Sequence, residues 1–117
     1  MNGIELLEKF LNLTSQRQQG VVTNMANVDT PGFRTRDMDF RTELTRAVSN
    51  QETPGTGPML REVSGLIARP DGNNVNLDRE GMLLAETQMQ FQIGVQLIRS
   101  EFRRLMSAIN GGGGSSQ

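Results

Sequence analysis

Toward the end of the chain, Leu84, Gln88, Phe91, Val95, Ile98, Phe102, Leu105 and Ile109 recur in alternating steps of four and three residues. An α-helix turns once in 3.6 residues, so side chains three and four apart stack on one face, and this spacing is that of a coiled-coil seam. A chain carrying so long a row must form a long helix, and that helix must find another apolar surface to lie against. Met82, Met89, Ile93 and Leu97 make a second row that widens the seam on one side. Asp78 is placed to cap the first turn, Leu77 to pack on Met82 as a hydrophobic staple, and Arg99, Arg103 and Arg104 gather where cations suit the helix dipole.

A second helix is written at the other end. Ile4, Leu7, Leu11, Thr14, Gln18, Val21, Met25 and Val28 step by threes and fours, and Leu6, Phe10 and Leu13 broaden the stripe at its start. Asn2 followed by Glu5 resembles a capping box. Gly20 interrupts the pattern at about 1 kcal/mol relative to Ala. Either the helix weakens there, or something packs closely against it, or the glycine is simply tolerated on an exposed face. At 1.5 Å per residue the first helix spans ~37 Å and the last ~50 Å.

Between the helices the period is lost. Thr30-Pro31-Gly32-Phe33 is a turn, because proline fixes φ at its second position and glycine accepts the positive φ that a type II turn demands at its third. Phe40, Leu44 and Val48 predict a short amphipathic helix from about Asp39 to Ser49. Gln51 to Pro58 reads as a loop, Leu60 to Arg69 as an extended or β-like arm, and Pro70 to Asn74 as a turn. This middle third is expected to order only when something packs on it. The predicted fold is therefore mainly α, with long N- and C-terminal helices pairing as a coiled coil around a loop-rich, partly extended middle. The segments are 1–28, 29–76 and 77–110, with a flexible Gly/Ser tail at 111–117, and together they make one structural unit.

Composition closes most routes to chemistry. The chain of 117 residues has no Cys and no His, which removes thiolates, the commonest metal ligands and the usual general base. Twelve basic and thirteen acidic residues leave a net charge of −1, with no field to gather phosphates, so no nucleic acid is expected. Asp71-Gly72-Asn73 begins like a calcium loop, but Asn76 stands where glycine is needed and Met82 where glutamate is needed. Asp37 with Asp39, and Glu80 with Glu86, read as a solvated face. The longest apolar run, Met82 to Ala85, is far too short to span a membrane, and no basic region precedes an apolar stretch at the N-terminus as a secretory signal would require. No enzyme activity, cofactor or metal is expected. Apolar residues make up 35 %, and the five aromatics are all Phe, a thin core for a body of this size.

The run Asn24-Met25-Ala26-Asn27-Val28-Asp29-Thr30-Pro31-Gly32-Phe33 resembles the signature near the N-terminus of the flagellar rod and hook axial proteins. In that signature a helix ends at Ala-Asn and a Thr-Pro-Gly-aromatic turn follows; Asn24, Ala26, Asn27, Thr30, Pro31, Gly32 and Phe33 carry it here. Pro70 to Glu80, with Asp71, Gly72, Asn73, Leu77 and Asp78, is similar to the segment before the terminal helix in a short, proximal-rod member of the family. One departure is Gly81, where the family pattern generally has methionine.

The resemblance implies a structural subunit of the bacterial flagellar basal body, whose terminal helices stack with copies and relatives into a tube around the export channel. Ile4, Leu7, Leu11, Val21, Met25, Leu84, Phe91, Val95, Ile98, Phe102, Leu105 and Ile109 are then the seam between subunits. The expected partners are copies of the chain, other flagellar rod proteins, the basal-body adaptor protein and the export gate. The expected place is the rod in the periplasmic space, reached by the flagellar type III system without a cleaved signal peptide. The seams alone also suit a small cytoplasmic coiled-coil adaptor or chaperone-like module.

Overall fold

The computed structural model describes residues 2–49 and 57–111. Helix α1 covers Gly3–Ala26, strand β1 Arg36–Met38, helix α2 Phe40–Val48, strand β2 Leu60–Glu62 and helix α3 Leu77–Gly111. The molecule is mainly helical and elongated, 68 × 28 × 20 Å. The expected loop at Gln51 to Pro58 lies mostly outside the described residues, as does the tail beyond Gly111.

The Asn2 side chain caps α1 by accepting the Glu5 N–H at 2.8 Å. The helix stops two residues short of Val28, because the Asn27 N–H turns back to the Thr23 and Asn24 carbonyls and its side-chain amide donates to Thr23 as well. Phe33 N–H then closes the Thr30 turn at 3.1 Å, with Gly32 at φ +76° as a type II turn requires. Helix α2 begins on its Asp39 cap, which accepts the Thr42 N–H, and ends on Ser49, within the predicted bounds. Its inner face is rotated by about a residue: Glu43 and Ala47 are buried and Val48 is exposed. Phe10 and Phe40, edge to face with centroids 5.8 Å apart, fasten α2 to α1.

Helix α3 starts on Asn76, not Asp78. The Asn76 side chain accepts the Arg79 N–H at 3.1 Å and its carbonyl the Glu80 N–H at 3.0 Å. Asparagine and aspartate cap equally well, and Asn76 comes first. Asp78 is left exposed in the first turn, and Leu77 and Met82 are exposed, so no staple forms between them.

Helices α1 and α3 lie side by side in opposite directions, since Gly3 faces Glu101, Leu11 faces Gly94 and Asn24 faces Glu80. The line of α3 turned toward α1 is not the apolar row. It is Glu80, Leu83, Thr87 and Gly94, all buried, with Leu84, Val95 and Ile98 half-buried beside it. Gly94 explains the rotation: a Cβ there would lie 2.6 Å from Leu11 Cδ2 and 3.2 Å from Phe10, so the helices approach most closely where α3 has no side chain. The buried apolar core is accordingly small: Leu13, Val21, Met38, Ala47, Val75 and Leu83.

Strands β1 and β2 pair antiparallel with Arg36 opposite Glu62 and Met38 opposite Leu60. The arm expected from Leu60 to Arg69 is a strand only over Leu60–Glu62, because a turn at Ser64 and Gly65, with Gly65 at φ +85°, ends the pairing; its partner strand is also three residues long, too short to leave an alternating signal. Among the described residues no helix is long and apolar enough to cross a membrane.

Candidate functional site

The two motifs separated by some forty residues of chain meet in one polar knot. Asn73, fully buried, donates its side-chain amide to the carbonyls of Asn27 at 2.9 Å and Thr30 at 2.8 Å. Its Oδ1 accepts the Val75 N–H at 2.9 Å, and its own N–H is held by Asp71 Oδ1 at 3.0 Å. Asn74, equally buried, accepts the Thr35 N–H at 2.6 Å, while its backbone N–H donates to Phe33. Gly72 sits at φ +89°, where a Cβ would touch Gly32 Cα at 3.5 Å, so the two turns pack glycine on glycine. Arg34 donates to the Gly72 carbonyl at 2.8 Å, and Arg69 donates to that of Val28. The described part of the middle third is thus held by hydrogen bonds within the chain itself, two of them buried, where it was expected to order only on contact with something else.

A chain of alternating charges extends the knot into the helix pair. Arg17 on α1 grips Asp37 on β1 with two hydrogen bonds of 3.1 and 3.0 Å. Arg79 on α3 reaches the same carboxylate at 2.8 Å and also holds Glu80 at 2.6 Å. The other oxygen of Glu80, a side chain with no exposed surface, accepts from Asn24 Nδ2 at 2.9 Å. Asn24 completes the set by pairing its amide with the backbone of Arg36, donating to the carbonyl at 2.9 Å and accepting the N–H at 3.2 Å. The outer edge of β1 is capped by a side chain in place of a third strand.

Asp37 and Glu80 are therefore not a solvated face. Burial alone would raise the Asp37 carboxyl. The hydrogen bonds and charge of Arg17, the Met38 N–H and Arg79 outweigh it and hold the group below its ordinary value. Arg17 is raised in turn, chiefly by its hydrogen bonds to Asp37. Both carboxylates are held by guanidinium donors, and Glu80 by an amide as well, an arrangement that fixes geometry. No cluster among the described residues suits a metal ion.

Of the motif residues, Asn24 and Asn73 are buried, Asn27, Phe33 and Gly72 half-buried, and Ala26, Thr30, Pro31, Gly32, Asp71, Leu77 and Asp78 exposed. Of the seam residues, Val21 is buried; Ile4, Leu7, Leu11, Met25, Leu84, Val95 and Ile98 are half-buried; Phe91, Phe102, Leu105 and Ile109 are exposed. Arg17, Thr35, Asp37, Asn74, Arg79 and Glu80 were not foreseen as a site, because no local spacing links members so far apart in sequence.

No family model matches the chain. It is 30 % identical to the flagellar basal body rod protein FlgB of Salmonella typhimurium over 125 aligned residues, covering 90 % of this chain and 91 % of the relative. FlgB of Escherichia coli K12 is similar to the same extent, and FlgB of Proteus mirabilis HI4320 is 30 % identical across 95 % of this chain and 96 % of its own length. With 30 % identity over nine-tenths or more of its length, the chain belongs to the family of the flagellar basal body rod protein FlgB.

Proposed function

We propose that the chain is a structural subunit of the flagellar basal body rod, joined to copies of itself and to other rod proteins through the apolar stripes of its helices. The observation that carries this reading is the uncovered flank of α3. Gly3 lies beside Glu101, so the end of α3 runs past the start of α1, and Phe102 and Ile109 are 56 % and 65 % exposed. Large apolar groups repeated on one face of a helix are stable in water only when another surface takes them up.

In this reading the row from Leu84 to Ile109 makes coiled-coil contacts between subunits, while the Thr87 and Gly94 line holds each subunit's own helix pair. The proximal rod, its place around the export channel, its delivery by the flagellar type III system, and contacts with the adaptor protein and the export gate belong to the same proposal. A cytoplasmic adaptor is less well supported, since the relatives are rod proteins over nearly their whole length.

The test is complementation of a bacterium lacking its own FlgB. The parent chain and Gln92→Ala, an exposed polar control, restore motility and are found in purified basal bodies, whereas Phe102→Ala is depleted from them. Equal incorporation of both variants removes the α3 stripe from the assembly, and absence of the parent chain removes the rod reading.

A further inference from the structure

Two surfaces of the subunit are left uncovered, and they are complementary. The first lines a groove of about 530 Å³ between α1 and the β1–β2 pair, formed by Gly20, Gly32, Phe33, Arg36 and Leu60 among others. Gly20 stands mid-helix with nothing within 4 Å of where a Cβ would be, and the same is true of Gly32. Helix α1 runs through Gly20 unbroken, so neither a kink nor an in-chain neighbour accounts for a residue that weakens the helix. At the rim, Arg36 is exposed, with no ion pair to its guanidinium among the described residues. The second is the outer face of the start of α3, where Asp78 and Met82 share a side four residues apart. Met82 is 66 % exposed, and Asp78, displaced from the cap by Asn76, is exposed with no hydrogen bond or ion pair among the described residues.

We propose that these surfaces meet between neighbouring copies: Met82 of one subunit enters the Gly20–Gly32 groove of the next, and Asp78 pairs with Arg36 at its rim. The inference rests on the rod reading and names one contact within it. The charge match selects a second copy as the occupant, since each member of the unpaired Arg36 and Asp78 set finds its counter-ion on another molecule of the same chain. A thioether on a flexible stem fills a shallow, uneven groove better than a branched side chain does. Because groove and knob are different patches, the contact is head-to-tail and repeats around or along an assembly instead of closing a dimer.

The experiment places Arg36→Glu, Asp78→Arg and the double variant in the FlgB-deleted bacterium and measures the amount of chain in purified basal bodies. Each single variant is expected to fall at least tenfold below the parent, and the double to recover most of the loss. Gly20→Ala is the second probe: the purified chain gains helix stability, seen as a higher melting temperature, yet its incorporation falls. Singles that incorporate like the parent, a double variant no better than the singles, or a Gly20→Ala chain that assembles normally would each overturn the contact. In all three cases the parent's own presence in basal bodies leaves the rod reading standing.

Discussion

Asn24 and Glu80, 56 residues apart, share a hydrogen bond of 2.9 Å that no solvent reaches. It is the point where the end of α1, the edge of β1 and the first turn of α3 are tied together, because Asn24 also holds the Arg36 backbone and Glu80 also holds Arg79. Removing one partner of a buried, charged hydrogen-bonded group leaves the other unsatisfied, which costs about 3 kcal/mol. Glu80→Ala and Asn24→Ala should each lower the unfolding free energy obtained from urea titration by that amount, and the double variant should lose clearly less than the sum. Glu80→Gln keeps an acceptor for Asn24 and should fall between the parent and Glu80→Ala. Additive losses in the cycle would mean that the two side chains act separately.

Asp37 gives the fold an acid sensitivity of known sign. Its carboxyl is held lower in the folded chain than in the unfolded one, so the stability it supplies is fully present above the unfolded value, ~4, and is lost as pH falls through the folded value. The parent should therefore lose stability on acidification below about pH 4 more steeply than Asp37→Asn. The gap between them, widest near neutrality, should narrow as Asp37 protonates. Parallel unfolding free energies for the two proteins across pH 2 to 7 would show that Arg17 and Arg79 do not depend on that charge.

Asn73 is where the two family motifs become one structure. Replacing it with alanine removes one of two donors from each of the Asn27 and Thr30 carbonyls, which keep the Thr30 and Phe33 N–H groups, and frees the Val75 N–H. Part of this loss is made up by water near the exposed Thr30, so the expected cost is about 2 kcal/mol. Asn73→Asp should be worse than Asn73→Ala above pH 5, since a carboxylate would then face two carbonyl oxygens. Urea midpoints of the three proteins decide the order, and an aspartate variant as stable as the parent would mean that the amide donors contribute nothing.

How far the sequence discloses this molecule depends on the range over which each signal acts. The cap at Asn2, the start of α2 at Asp39, the Pro31-Gly32 turn and the two long helices answer to signals set within a few residues, and they appear close to where periodicity and turn chemistry put them. The start of α3 shifts to Asn76 because two competent caps stand two residues apart, and local rules do not choose between them. The charge chain was hidden for another reason. Arg17, Asp37 and Arg79 stand 20 and 42 residues apart, and only the closed fold brings them together. Gln90 shows the same limit: it sits among exposed-looking glutamines, yet its Oε1 is buried. The face of α3 that meets α1 is not the one its apolar spacing marks, because hydrophobic spacing marks which surface wants cover, whereas closest approach is set by the smallest residues.

Gly94 turns that last point into a measurement. A valine there would place its Cβ 2.6 Å from Leu11 Cδ2 and 3.2 Å from Phe10 Cδ2, with further methyls beyond. Leu11 can swing aside at its tip, but Phe10 is already committed to Phe40, so the clash has only one way to relax. Overpacking of this kind costs about 1–3 kcal/mol, while exchanging glycine for a side-chain-bearing residue in a helix returns only a few tenths. Gly94→Val should therefore lower the melting temperature, and adding Leu11→Ala should restore part of it although Leu11→Ala alone destabilises. Such a reversal of sign between the single and combined change is expected only if the two residues press on each other across the helix pair. Simple addition of the two losses would mean that α1 and α3 are farther apart at this level than the packing around Gly94 requires.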